Sequence, residues 1–119
     1  MDHPENTLPS SERRKRAREA RDAFPPMGVY AIRAGDRVVV AASRNVHGAI
    51  NRAQFELRLG THRDAELQSR WNHDGPAGFS FDVLELVKER EDAAFDYAAE
   101  LQVLEQLHRE ELAGAGGTP

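Results

Sequence analysis

The hydrophobic and polar positions of this 119-residue chain alternate with two different periods, and the changes of period mark its elements. Residues 28–34, GVYAIRA, set Val29, Ala31 and Arg33 against Tyr30 and Ile32, the period of two that a strand requires. The turn AGDR follows, with Gly35 free to take a positive φ. Residues 38–42, VVVAA, are β-branched and apolar on both faces, which predicts a central strand covered on both sides. HGAINRAQFELRLG then reads as a helix whose core contacts are Ile50, Phe55, Leu57 and Leu59, stopped at Gly60. THRDAELQSRWNHDG reads as a second helix, with Leu67 and Trp71 four apart and Gly75 as its stop. FSFDVLELV returns to period two, placing Phe79, Phe81 and Val83 opposite Ser80 and Asp82. From residue 91, apolar positions 94, 97, 101, 104 and 107 predict a long amphipathic helix.

The two ends read differently. Residues 1–9 are polar with two prolines, the pattern of a mobile arm. PSSE offers Ser10 or Ser11 as N-cap of a basic helix that reaches about Ala23 and is stopped by Pro25 and Pro26. AGAGGTP closes the chain as a disordered tail. The division expected is therefore 1–26 arm and basic helix, 27–112 folded domain, 113–119 tail. The order helix, β, β, α, α, β, α predicts an α/β (α+β) domain. Its core is a small three-stranded, mainly antiparallel sheet flanked by helices.

Composition narrows the function classes. There is no cysteine, which excludes disulfides and thiolate metal sites and fits a reducing compartment. No apolar run approaches membrane-spanning length, and MDHPENTLPSSERRKR lacks the apolar core of a leader. A cytoplasmic protein without a membrane partner is expected. The net charge of −4 averages over an uneven distribution. Residues 12–22 hold six bases, residues 27–80 seven arginines against five acids, and residues 81–112 ten acids against three bases. A local basic field attracts a polyanion whatever the net charge, whereas the same charges can also simply solvate faces.

No P-loop, no GxGxxG after a strand, no HExxH and no nucleophile elbow occurs. The five histidines, His3, His47, His62, His73 and His108, show no metal-ligand spacing. Read together, however, several segments resemble the GIY-YIG nuclease family. GVY at 28–30 matches its first motif, and VVA at 39–41 stands where the second, Tyr-Ile-Gly, belongs. SRN follows, and Arg52 falls in the next helix, where the family keeps an arginine. GTHRDAELQSRWNHDGPAGFSFDVLE is similar to the G-x-H-x-N-x-x-LQ-x-x-W-N-x-x-G-x-x-x-F-x-F-x-x-LE stretch of the homing-endonuclease-like branch. Glu105 lies in the last helix, where the family has its metal-binding glutamate. The resemblance covers about residues 25–112 and is most specific between 60 and 85.

The resemblance implies hydrolysis of DNA phosphodiesters with one divalent ion, Mg²⁺ or Mn²⁺, in DNA repair or processing. Tyr30 would activate the attacking water, Arg52 would clamp the scissile phosphate, and His62 would hydrogen-bond that phosphate or relay a proton. Glu105 would hold the metal, and Asn72 is a polar partner of the site. Phosphate contacts would come from Arg13, Arg14, Lys15 and Arg16 of the basic helix and from Arg44 and Arg52. Read without the resemblance, Tyr30 is a core strand tyrosine, Arg52 an ion-pair partner of Glu56 at i+4, and Glu105 a solvated charge. Glu100, one turn away, competes with Glu105. The chain departs from the family at Val39 and Ala41, where Tyr and Gly are usual. It departs again at Asp64, often Asn, and at His108, often Trp. The alternative function is accordingly a catalytically impaired DNA-binding module with a structural or regulatory role. A protein-interaction domain using the acidic helix is a third reading.

Overall fold

Strand β1, Gly28–Ala34, runs through the middle of the sheet and pairs antiparallel on both sides, giving the order β2-β1-β3. A computed structural model describes residues 24–117 of the chain. The basic helix expected over 10–23, with Arg13, Arg14, Lys15 and Arg16, lies outside the described residues. Strand β2, Arg37–Ser43, follows β1 through a turn in which Gly35 takes φ 63°, the conformation glycine favours at this place in a tight hairpin. Strand β3 is Phe79–Leu86. The expected three-stranded antiparallel sheet is therefore present, but VVVAA is an edge strand and not the central one. It is apolar on both faces because both faces are covered by helices, which does not require hydrogen-bonding neighbours on both edges.

Helix α1, Val46–Leu59, begins at Asn45, whose side chain accepts from the Gly48 N–H at 3.0 Å. It ends where Gly60 takes φ 81° and the Thr61 N–H reaches the Glu56 carbonyl at 2.9 Å. Val46, Ala53 and Leu57 form its buried stripe. Phe55 and Leu59, expected in the core, are 54% and 60% exposed. At about 100° per residue they lie on the far side of the helix from Ala53. Helix α2, Ala65–Asp74, is capped by Asp64 and ended by Gly75, and a single 3₁₀ turn, Pro76–Gly78, leads into β3.

Helix α3, Tyr97–Gly117, starts later than the amphipathic pattern predicts. Two aspartates compete for the start: Asp92 folds a local turn onto the Ala94 N–H, and Asp96 caps the helix through the Ala99 N–H at 3.0 Å. The helix continues as far as Gly117, so the tail expected from residue 113 is helical over 113–117. Among the described residues, no helix is long and apolar enough to cross a membrane.

The sheet separates two apolar layers. On one face Ile32, Ala34 and Val39 pack with Phe79 and Phe81 against Ala53 and Leu57 of α1 and Leu67 and Trp71 of α2. On the other, Val29, Ala31 and Val40 pack with Leu84 against Leu104 and Leu112 of α3. β3 serves both by alternation of its side chains, and it carries a bulge: Val29 pairs with Glu85 but Tyr30 with Val83, so Leu84 is the extra residue. Met27, Val87 and Leu101 close the end of the sheet, where the Val87 N–H bonds the Met27 carbonyl at 2.7 Å.

Candidate active site

The hairpin, α1 and the loop 60–64 enclose an open cleft of about 750 Å³. Tyr30 and Ala41, partners across β1 and β2, form its floor with Val39. Arg52 and Glu56 line it from α1, and His62, Arg63 and Asp64 from the loop. Three of the four residues expected to be catalytic, Tyr30, Arg52 and His62, thus meet in one cleft although the sequence separates them.

The Tyr30 ring is half-buried against the core. Burial is the main cause pushing its phenol above the usual value; the charges of Glu105 and Glu56 add to this, and that of Arg63 opposes it. Tyr30 is therefore a neutral hydroxyl at ordinary pH. The Arg52 guanidinium meets Glu56 at 3.3 Å, the i+4 pair that the residue pattern alone suggested. Its side chain is 81% exposed, so the pair holds it weakly and a phosphate could displace Glu56.

His62 is held by its neighbours. Its N–H donates to Gln68 Oε1 at 2.9 Å, and its Nδ1 accepts from the Asp64 N–H at 3.0 Å. With Nδ1 used as acceptor, the neutral ring carries its proton on Nε2 and presents a donor. Gln68, 9% exposed, also donates to the Leu57 carbonyl and to Asn72 Oδ1, each at 3.0 Å. It is the bracket that ties the end of α1, the His62 turn and α2 together. Asn72, expected at the site, does not line the cleft because it is occupied with this bracket on α2.

Asp64 completes the loop. One oxygen caps α2 through the Leu67 N–H at 2.9 Å, and the other accepts from Arg37 at 2.6 Å. Burial would raise its carboxyl, but the Leu67 N–H, the Arg37 hydrogen bond and the charge of Arg37 outweigh that and hold it below the usual carboxylate range. A lowered native value means that Asp64 stabilises the fold above its unfolded pKa near 3.9 and loses that contribution as pH falls through the lower, native value. Asp64→Asn keeps a cap but loses the charge. It should cost about 1 kcal/mol at pH 7 and flatten the decline of Tm below about pH 4, as measured by thermal melts against pH.

Glu105 stands at the border of the cleft. Its Oε1 accepts from the N–H of Ala42, a cleft residue, at 3.1 Å, and its Oε2 meets Arg109 at 2.5 Å. Arg109 also donates to the Val40 carbonyl at 3.0 Å. The two side chains therefore take the outward backbone groups of the β2 edge. Glu100, the competing candidate, lies nearest Arg90 at 3.7 Å. Arg44 is exposed between β2 and α1, next to the cleft residues Ser43 and Asn45. Gln68, Arg37, Arg63 and Arg109 were not expected from the sequence. The LQ pair and the i+4 spacing of Arg109 from Glu105 were their only signals.

No protein-family model and no curated protein sequence matches the chain. Its structure is similar to that of the catalytic domain of homing endonuclease I-TevI, with a TM-score of 0.58 and 23% identity over 72% of this chain and 87% of that one. A mutant of the same intron endonuclease domain gives a TM-score of 0.58 at 20% identity, over 72% of this chain and 82% of that one. The chain therefore has the GIY-YIG-type fold, the α+β architecture of the I-TevI catalytic domain.

Proposed function

We propose that the chain is an endonuclease that hydrolyses DNA phosphodiester bonds with the help of one divalent ion, Mg²⁺ or Mn²⁺. The observation that carries this reading is the meeting of Tyr30, Arg52 and His62 in one cleft, on the fold of a homing endonuclease catalytic domain. In the reaction a water oxygen bonds to phosphorus, the ester P–O bond breaks, and the leaving oxygen takes up a proton. Arg52 holds the non-bridging oxygens with its planar fork, and the Nε2–H of His62 donates to the same phosphate. Tyr30 orients the water through its hydroxyl and relays the proton as the water attacks.

Glu105 is the residue that would hold the ion. Each of its oxygens has one partner and keeps a free lone pair, which suits a hard cation that takes one carboxylate and fills its remaining positions with water and phosphate. Among the described residues no cluster of three or more His, Asp or Glu offers a closed cage. Such an ion supplies positive charge to the phosphate and makes a water easier to deprotonate. The reading places the activity in DNA repair or processing in the cytoplasm, with Arg44 and the basic segment 13–16 adding phosphate contacts.

A second reading, a DNA-binding module with impaired catalysis, is favoured by Val39 and Ala41. Val39 packs into the core layer and Ala41 faces Tyr30, so the cleft holds a single phenol. Supercoiled plasmid with Mg²⁺ or Mn²⁺ decides between them. Metal-dependent nicking that is lost in both Arg52→Ala and Glu105→Gln supports the enzyme. Salt-dependent binding without nicking supports the module. Glu105→Gln is the better variant than Glu105→Ala because the amide oxygen still accepts from the Ala42 N–H while the charge is removed.

A further inference from the structure

Beyond the four expected catalytic groups, the cleft contains a cation whose backbone is pinned and whose side chain is free. Arg63 lies between His62, whose N–H is held by Gln68, and Asp64, whose N–H is held by the His62 ring and whose carboxylate is held by Arg37. The loop is thus fixed on both sides of it. Its guanidinium forms no hydrogen bond and no ion pair with any other described residue. Arg37 is engaged with Asp64, Arg52 with Glu56, and Arg70 with Asp36 and Glu66. Arg44 and Arg58 also have no partner among the described residues, but of these three arginines only Arg63 lines the cleft.

We propose that Arg63 is a second phosphate-binding arginine of this site, contacting the scissile phosphate of a DNA strand laid in the cleft beside Tyr30. The proposal rests on the endonuclease reading for its substrate. A guanidinium presents a forked pair of donors that matches two phosphate oxygens, and it needs no deprotonation at any working pH. Because Arg63 has no partner among the described residues, binding a phosphate breaks no contact with them, whereas Arg52 must first leave Glu56. The groups that face Tyr30 agree with this placement. Glu56 of α1 and Glu105 of α3 act on the phenol with negative charge, and Arg63 is the cation that acts against them.

The test compares wild type with Arg63→Ala, Arg63→Lys and Arg58→Ala. Arg58 is an exposed arginine of α1 outside the cleft and serves as the charge control. Binding of a short DNA duplex is measured with a chelator present across a series of salt concentrations. Arg63→Ala should reduce the slope of log K against log salt by about 0.9, one phosphate contact, while Arg63→Lys keeps the slope. Arg58→Ala should leave it at the wild-type value. In cleavage assays kcat should fall about 10²-fold in Arg63→Ala and be partly restored by lysine. An unchanged slope and an unchanged kcat in a folded Arg63→Ala variant overturn the proposal. A reduced slope with unchanged kcat overturns the scissile-phosphate assignment. If wild type binds but never cuts, the endonuclease reading fails, and the slope still decides whether Arg63 contacts phosphate. If wild type neither binds nor cuts, both fail.

Discussion

Tyr30→Phe should lower plasmid cleavage by about 10²–10⁴-fold and leave the domain folded. The ring packs with Val39 and Phe81 against the α1 and α2 layer, and phenylalanine preserves that packing. What is removed is the one phenol hydroxyl of the cleft; its other hydroxyls, Ser43 and Thr61, already donate to the Asn45 and Glu56 carbonyls. Valine and alanine stand at 39 and 41, and the only other tyrosine, Tyr97, accepts from the Arg90 N–H in a different cluster. The loss should therefore appear in kcat and not in Tm. The pH behaviour gives a second readout. Since burial above all raises the native pKa of Tyr30, the neutral phenol is the form the fold prefers. Its stabilising contribution is fully present below the unfolded value near 10 and is lost as pH rises through the higher, native value. Tyr30→Phe should abolish that part of the alkaline decline in stability. Cleavage by Tyr30→Phe at the wild-type rate would remove Tyr30 from the mechanism and would favour water activation that needs no side-chain relay.

The sequence made the elements legible where one period dominates. The hairpin, the third strand and the stops at Gly60 and Gly75 follow from alternation and turn chemistry, which are local. The resemblance named Tyr30, Arg52 and His62 from separate stretches of the chain, and all three line one cleft. What escaped was non-local. The apolar character of VVVAA reports coverage of its faces, and it says nothing about which strands lie on its edges. Phe55 and Leu59 are apolar yet exposed because the α1 stripe follows Val46, Ala53 and Leu57. The bracket around Gln68 and the Arg37–Asp64 pair join residues through side-chain hydrogen bonds across a loop, and no spacing rule announces them. Asn72 matched a motif position but serves this bracket instead of the cleft. Glu105 shows both aspects at once: its carboxylate completes the β2 edge and also stands beside the cleft, so only a variant that keeps the hydrogen bond can separate the two roles.

Gly28→Ala should be the most destabilising single substitution proposed for this chain, costing at least about 3 kcal/mol. A Cβ at residue 28 would lie 1.9 Å from the Glu85 carbonyl oxygen and 2.9 Å from both the Glu85 carbonyl carbon and Leu86 Cα. These are backbone atoms of the paired strand, so no rotamer change can move them away. Relief would require β3 to separate from β1 beside the Leu84 bulge, where Met27 and Val87 bridge the end of the sheet. Gly60→Ala provides the contrast. At Gly60 the φ of 81° disfavours alanine, but nothing lies within 4 Å of the added methyl, and the cost should be about 1 kcal/mol. Urea unfolding of both variants checks this: Cm should fall much further for Gly28→Ala, with m unchanged in each. Equal shifts would mean that the strands yield easily at the bulge. The glycine that opens the GVY motif is then a requirement of the β1–β3 approach and not of phosphate binding. Its presence argues for the fold, while the argument for chemistry rests on Tyr30 two residues later.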